Sequence, residues 1–198
     1  SFTIPAGTLA AGTYALEITN PAPAACPFVL PDAIELLGAP VVESLAPASL
    51  CIEAADTVVA VRGSGFLFTD TDAPTVLVDG DERPVLERSG CAPLSGALEG
   101  ELCTELTIEV PSGSFTALGD VGVSVQNPAP AACVSGDASL EVTPGPEISA
   151  IEPSLVCTDA VVFDVIGTAF AEGATVTVGT TAADVTFVDD TRLSASIP

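Results

Sequence analysis

The segment 121–133, VGVSVQNPAPAAC, is the most informative about the fold, and the segment 14–26, YALEITNPAPAAC, matches it 107 residues earlier. Both begin with three apolar residues that alternate with small or polar ones. This spacing is typical of a β-strand with one buried face. The block NPAPAAC follows in both copies, and the probability that seven residues match by chance is negligible. The segments therefore indicate an internal repeat built from β-strands.

Three further blocks recur in the same order and set the phase of the repeat. The pairs are Ser44–Pro47 with Ala150–Pro153, Gly63–Phe66 with Gly167–Phe170, and Thr104–Pro111 with Thr191–Pro198. They predict one complete module at 39–144, the second half of a module at 1–38, and the first half of another at 145–198. The complete module is longer because of an insert, Ser89–Cys103, which the last module lacks.

Composition excludes several classes of function. The 198 residues include 4 basic and 27 acidic ones, for a net charge of −23, and there is no Lys, His, Met or Trp. Without His or Lys, the chain cannot form a Ser-His-Asp triad, a His-containing zinc site, a Schiff base or a P-loop lysine. So strong a negative charge repels nucleic acid and anionic lipid. We expect no nucleic-acid partner, no cofactor and no catalytic residues.

The same composition argues for a folded chain. Hydrophobic residues make up 48% and charged residues 16%, the opposite of a disordered acidic tail. No apolar run reaches the ~18–20 residues of a membrane helix, so no membrane insertion is expected. The start of the chain has no basic region, and we expect the sequence to begin inside a longer protein.

Several motifs resemble those of one known family. The first-half motifs are PEISAIEP at 146–153, GTAF at 167–170, GATVTVG at 173–179 and TRLSASIP at 191–198; the second-half motif is AAGTYALEITNP at 10–21. In this order they resemble the IPT/TIG immunoglobulin-like domain. The resemblance implies an all-β chain of tandem immunoglobulin-like antiparallel β-sandwiches, arranged end to end. The cysteines and the insert depart from the family pattern.

The six cysteines predict disulfides and therefore an oxidising compartment. Cys91 and Cys103 bracket the insert and are expected to pair. The remaining cysteines, Cys26, Cys51, Cys133 and Cys157, leave three alternatives on the family fold. Cys51 pairs with the cysteine of the NPAPAAC loop in the next module or copy, or it pairs with Cys133. Otherwise sequence neighbours pair, as Cys26–Cys51 or Cys133–Cys157.

Acidic residues crowd two loops of the complete module, and four of them are weak candidates for calcium ligands: Asp70, Asp72, Asp79 and Asp81. Carboxylates at alternate positions suit calcium, but no complete ligand pattern is present. Asp-Gly is also a strong turn signal, so solvated turns are the preferred interpretation.

These observations favour a non-enzymatic structural segment of an extracellular or cell-surface fibre, stalk or filament. Its expected partners are other copies or flanking modules of the same protein, in a head-to-tail array. The alternative is an adhesin or accessory module that binds a glycan or receptor through its loops. Because 145–198 lacks half a sandwich, four of its apolar residues are expected to face water: Phe163, Phe170, Val176 and Val178.

Overall fold

The computed structural model describes residues 8–94, 100–155 and 161–197. Every regular element in these ranges is a β-strand, and they contain no helix. The all-β prediction is therefore confirmed.

The chain divides into two compact units. Unit 1 comprises Ser1–Leu50 and Ala54–Val142, and unit 2 comprises Cys51–Glu53 and Thr143–Pro198. The first strands are β1 (Gly12–Thr19), β2 (Pro27–Leu36), β3 (Val41–Ala46), β4 (Ser49–Cys51), β5 (Thr57–Thr69) and β6 (Thr75–Val78). They are followed by β7 (Asp81–Arg83), β8 (Val85–Ser89), β9 (Ala92–Pro93), β10 (Gly100–Val110), β11 (Gly119–Gln126) and β12 (Ala138–Thr143). The last six are β13 (Glu147–Glu152), β14 (Val161–Thr168), β15 (Thr177–Val178), β16 (Thr181–Ala182), β17 (Asp184–Asp189) and β18 (Arg192–Ile197).

Two sheets pack face to face around one apolar core in unit 1. Sheet A has the strand order β3-β5-β10-β8, with β9 beside β10, and sheet B has the order β4-β12-β11-β6-β7. The core includes alternating valines of β5 and β11: Val59, Val61, Val123 and Val125. Burial of each such side chain contributes about 1.5–3 kcal/mol. The period-2 pattern of the sequence therefore produces a two-layer β-sandwich.

Strands β1 and β2 form a separate two-stranded sheet, here called the N-terminal hairpin. Leu16 pairs with Leu30 and Ile18 with Phe28, which places these four apolar residues on one face. That face is poorly covered, since Ile18 is 59% exposed, Phe28 65% and Leu30 48%. The hairpin thus has the apolar face of a sandwich strand pair without the opposing layer.

In its described residues, unit 2 contains one four-stranded sheet and one small hairpin. The sheet has the order β13-β14-β18-β17, and β15 pairs with β16. The order corresponds to sheet A strand for strand, with β13 in the place of β3, β14 of β5, β18 of β10 and β17 of β8. The described part of unit 2 contains no counterparts of β11 and β12.

A close backbone approach is also the same in both units. A Cβ atom on Gly63 would lie 1.8 Å from the Val41 carbonyl oxygen, and one on Gly167 would lie 1.8 Å from the Glu147 carbonyl oxygen. Only glycine fits at either place. The first two strands of each sheet therefore meet in the same way, each pair with a β-bulge near this contact.

The expectation that four apolar residues of unit 2 face water is wrong for Phe163 and Phe170, each only 7% exposed. They form a small core with Val165, and Val176 packs against it half-buried. The reason is that the segment leading into β15 and β16 lies on one face of the sheet and covers it. Val178 alone matches the expectation, at 46% exposed.

Candidate functional site

The turn at 127–133, here called the Asn-Pro loop, is anchored in unit 1 by a buried side chain. Asn127 is 1% exposed. Its Oδ1 accepts a hydrogen bond from the Leu67 N–H at 2.9 Å, and its Nδ2 donates one to the Gly65 carbonyl at 2.9 Å. Both groups belong to β5 in sheet A, whereas Asn127 follows β11 in sheet B. Asn127 therefore ties the two sheets together and satisfies polar groups that would be costly to bury unpaired.

The matching loop at 20–26 has the same backbone geometry. The N–H of Asn127 donates to the Cys133 carbonyl at 2.9 Å, and the N–H of Asn20 donates to the Cys26 carbonyl at 3.2 Å. Ala132 and Ala25 both have positive φ, 47° and 39°. Asn20 itself is exposed. The N-terminal hairpin therefore carries the same loop as β11, with its asparagine exposed.

The strand that receives β11 in unit 1 is β6. Val123 lies opposite Val78 and Val125 opposite Val76, and all four side chains are at most 1% exposed. The segment 75–80, TVLVDG, contains β6, and the segment 175–180, TVTVGT, contains β15. Both strands are followed by a two-residue turn, because Val78 pairs with Asp81 and Val178 with Thr181.

The outer edge of β15 is unpaired in the described structure. Its strand partner there is β16, and Val178 points to solvent. An unpaired edge presents free N–H and C=O groups and is a template for a further strand. We call this edge, together with Val176 and Val178, the open edge of unit 2.

The backbone that binds the Asn127 amide also has a counterpart in unit 2, in the residues that follow β14. Gly65 and Ala169 both have positive φ, 76° and 58°. The aligned segments are GSGFL at 63–67 and GTAFA at 167–171, so Ala169 corresponds to Gly65 and Ala171 to Leu67. Unit 2 thus offers a carbonyl and an N–H in the sequence positions that hold the asparagine in unit 1.

Cys91 and Cys103 form a disulfide with an S–S distance of 2.04 Å, the pairing that the sequence predicts. Cys103 is fully buried, so the bond fixes the insert to the core of unit 1. Glu101 lies beside the two sulfurs, but sulfurs in a disulfide are not metal ligands. Arg88 adds a second attachment, since its guanidinium lies 2.7 Å from Glu101 and 4.3 Å from the Phe68 ring centroid.

The other described cysteines are free thiols: Cys26 is exposed, and Cys51 and Cys133 are half-buried. The alternatives Cys51–Cys133 and Cys26–Cys51 are thus absent from the single chain. Cys157 lies outside the described residues. The predicted bond between Cys51 and a loop cysteine of another module or copy stays a prediction.

The four calcium candidates are exposed: Asp70, Asp72 and Asp79 lie between strands, and Asp81 is the first residue of β7. Asp79 is the first residue of the β6–β7 turn, with φ of 52°, and Asp81 lies 3.6 Å from Arg83. Asp72 accepts a hydrogen bond from the Thr71 hydroxyl at 2.7 Å, and Asp70 precedes Thr71 in the same loop. Within the described ranges, no group of three metal-ligating atoms includes any of these residues.

Two other carboxylates stabilise turns. The Ser112 N–H, 2.8 Å from Asp56, lowers the pKa of that carboxyl, and the Ser112 hydroxyl lowers it further. The Thr191 hydroxyl and N–H lower the pKa of Asp189 in the same way. A lowered pKa keeps both groups ionised at neutral pH, the opposite of what a general acid requires.

Unit 1 also contains an apolar cleft beside the N-terminal hairpin. Its lining residues are Glu35, Leu36, Leu37, Leu67, Thr69, Leu94, Pro130, Ala131 and Cys133. No aromatic side chain is among them, so this cleft lacks the flat rings on which sugars usually stack.

No family model and no curated protein matches this chain. The resemblance to IPT/TIG domains therefore rests on the sequence motifs. In the described part of the chain, no helix could span a membrane.

Proposed function

We propose that the chain is a non-enzymatic structural segment of an extracellular fibre, stalk or surface filament, built as a linear array of immunoglobulin-like sandwiches of the IPT/TIG type. One observation carries this proposal: the N-terminal hairpin has the strands that the described part of unit 2 lacks. The two regions are complementary parts of the sandwich that unit 1 contains whole. In the proposed array, 1–38 completes one module, 39–144 is a module by itself, and 145–198 begins the next.

Several features support a stiff, secreted array. The module junctions are Gly38-Ala39-Pro40 and Thr143-Pro144-Gly145-Pro146, too short and too rich in proline to act as flexible tethers. The disulfide between Cys91 and Cys103 fits an oxidising compartment. The net charge of −23 keeps such a surface soluble and resists nonspecific association.

The test uses covalent tandem copies. The segment 194–198, SASIP, corresponds to 1–5, SFTIP, so joining Leu193 of one copy directly to Ser1 of the next preserves the repeat. Fusions of two, three and four copies are imaged by electron microscopy. We expect straight rods whose length increases by a constant step with each copy. Flexible strings of separate particles, or compact particles of no fixed length, would contradict a structural array.

A further inference from the structure

We infer that the open edge of unit 2 binds the N-terminal hairpin of a second copy of this chain, with β1 adding to β15 as an antiparallel strand. This inference rests on the proposed array and names the partner that completes unit 2. Each copy then has one donor hairpin and one acceptor edge.

The register follows from unit 1. Val123 lies opposite Val78 and Val125 opposite Val76. The repeat aligns Leu16 with Val123 and Ile18 with Val125. Leu16 of one copy therefore lies opposite Val178 of the other, and Ile18 lies opposite Val176.

The same alignment places the asparagine anchor. Asn127 accepts from the Leu67 N–H and donates to the Gly65 carbonyl in unit 1. In the complex, Asn20 accepts from the Ala171 N–H and donates to the Ala169 carbonyl of the other copy. Backbone pairing supplies affinity in strand addition, and an anchored side chain fixes the register.

The second copy is favoured as the occupant because both surfaces occur on this one chain and each needs the other. Three apolar side chains are exposed on the hairpin face, namely Ile18, Phe28 and Leu30, and Val178 is exposed on the acceptor edge. One association covers both. Donor and acceptor are different surfaces, so the contact is heterologous and repeats into an open linear assembly.

The experiment uses chain 1–198 and two variants that each block one surface. Ile18→Asp places a carboxylate on the donor face, and Val178→Asp places one on the acceptor edge. Both positions are exposed in the single chain, so each variant is expected to fold. Matched controls are Val29→Asp, on the other face of the hairpin at 52% exposure, and Val162→Asp, whose neighbour Phe163 points into the core, at 65% exposure. Circular dichroism and thermal melting verify folding.

Light scattering coupled to gel filtration gives the masses. We expect concentration-dependent linear oligomers for the original chain and for both controls. Each blocking variant alone is expected to be monomeric, with self-association weakened by at least ~100-fold because an unpaired charge would be buried. The mixture of the two variants is decisive: the intact hairpin of Val178→Asp fits the intact edge of Ile18→Asp, so the mixture forms dimers and nothing larger. Asn20→Ala is expected to weaken assembly of the original chain by ~10-fold.

Three results would overturn the inference: an original chain that is a stable monomer at high concentration, oligomers unaffected by the two blocking substitutions, or blocking variants that remain monomers when mixed. The tandem fusions show whether such a result also contradicts the proposed function. If free chains stay monomeric while tandem fusions form rods, the array is continued within one polypeptide. If the fusions also fail to form rods, the structural function is wrong.

Discussion

Strands β6 and β15 lie in similar segments, TVLV at 75–78 and TVTV at 175–178, and each precedes a two-residue turn, yet their environments differ. Val78 is 1% exposed and Val178 is 46% exposed. The difference arises from β11, which pairs with β6 in unit 1 and has no counterpart beside β15 in the described residues. Local sequence therefore determines that each strand forms, whereas burial depends on a neighbour supplied by another part of the repeat.

The largest predicted effect on the free energy of unfolding concerns a buried phenylalanine that both units share. Phe66 and Phe170 occupy matching positions and are both buried. Substitution by alanine is expected to lower the free energy of unfolding of the unit concerned by about 3–5 kcal/mol, from lost burial and the cavity left behind. Urea unfolding followed by hydrogen-exchange mass spectrometry assigns the loss to unit 1 or unit 2. If Phe170→Ala had no effect, unit 2 would not have the packed core described above.

The disulfide should matter to unit 1 alone. Replacing both Cys91 and Cys103 by alanine is expected to cost about 3 kcal/mol, the value for a loop of this size on the entropic model. Cys26→Ala is the control and should leave the unfolding of the single chain unchanged, because that thiol is exposed. Nonreducing peptide mapping should recover Cys91 linked to Cys103. Recovery of either cysteine as a free thiol would contradict the disulfide that fixes the insert to the core.

A smaller effect tests the comparison of the two strands directly. Val78→Ala should lower the free energy of unfolding by about 2 kcal/mol, since a fully buried methyl pair is lost. Val178→Ala should change it by less than about 0.5 kcal/mol in the dilute single chain, as at other exposed sites. Equal losses at the two positions would mean that β15 is already covered.

The smallest expected effect is that of calcium. Four residues are exposed and belong to no ligand cluster among the described residues: Asp70, Asp72, Asp79 and Asp81. Removing divalent ions with EDTA should leave the melting temperature unchanged, since no folding energy is coupled to a bound ion. A large decrease that calcium reverses would identify these carboxylates as a metal site.

Sequence patterns were sufficient for the strands and for the paired Cys91 and Cys103, because period-2 alternation and the position of the insert are local signals. They did not predict the burial of Phe163 and Phe170. The repeat indicates which strands are missing from 145–198, but it does not indicate how the remaining segment packs on the sheet.

The role of the asparagine anchor was missed, although a signal for it exists. A polar residue recurs at the end of the apolar alternation at both 20 and 127. Its partners, Gly65 and Leu67, lie about sixty residues away in sequence, and only the fold brings them together. The partners of Cys51 stayed open for a related reason, because they depend on how modules meet.

The proposed array requires that 145–198 become a complete sandwich when residues 1–38 of a following copy are supplied. In unit 2 the Val178 N–H already faces β16, whereas the Thr177 N–H faces the open edge. Hydrogen exchange at Thr177 is therefore measured in the two-copy fusion joined from Leu193 to Ser1 and in the dilute single chain. We predict that this amide exchanges rapidly in the single chain. In the first copy of the fusion it should become as protected as the Leu77 amide, which faces β11. Rapid exchange of Thr177 in both proteins would contradict the proposed array.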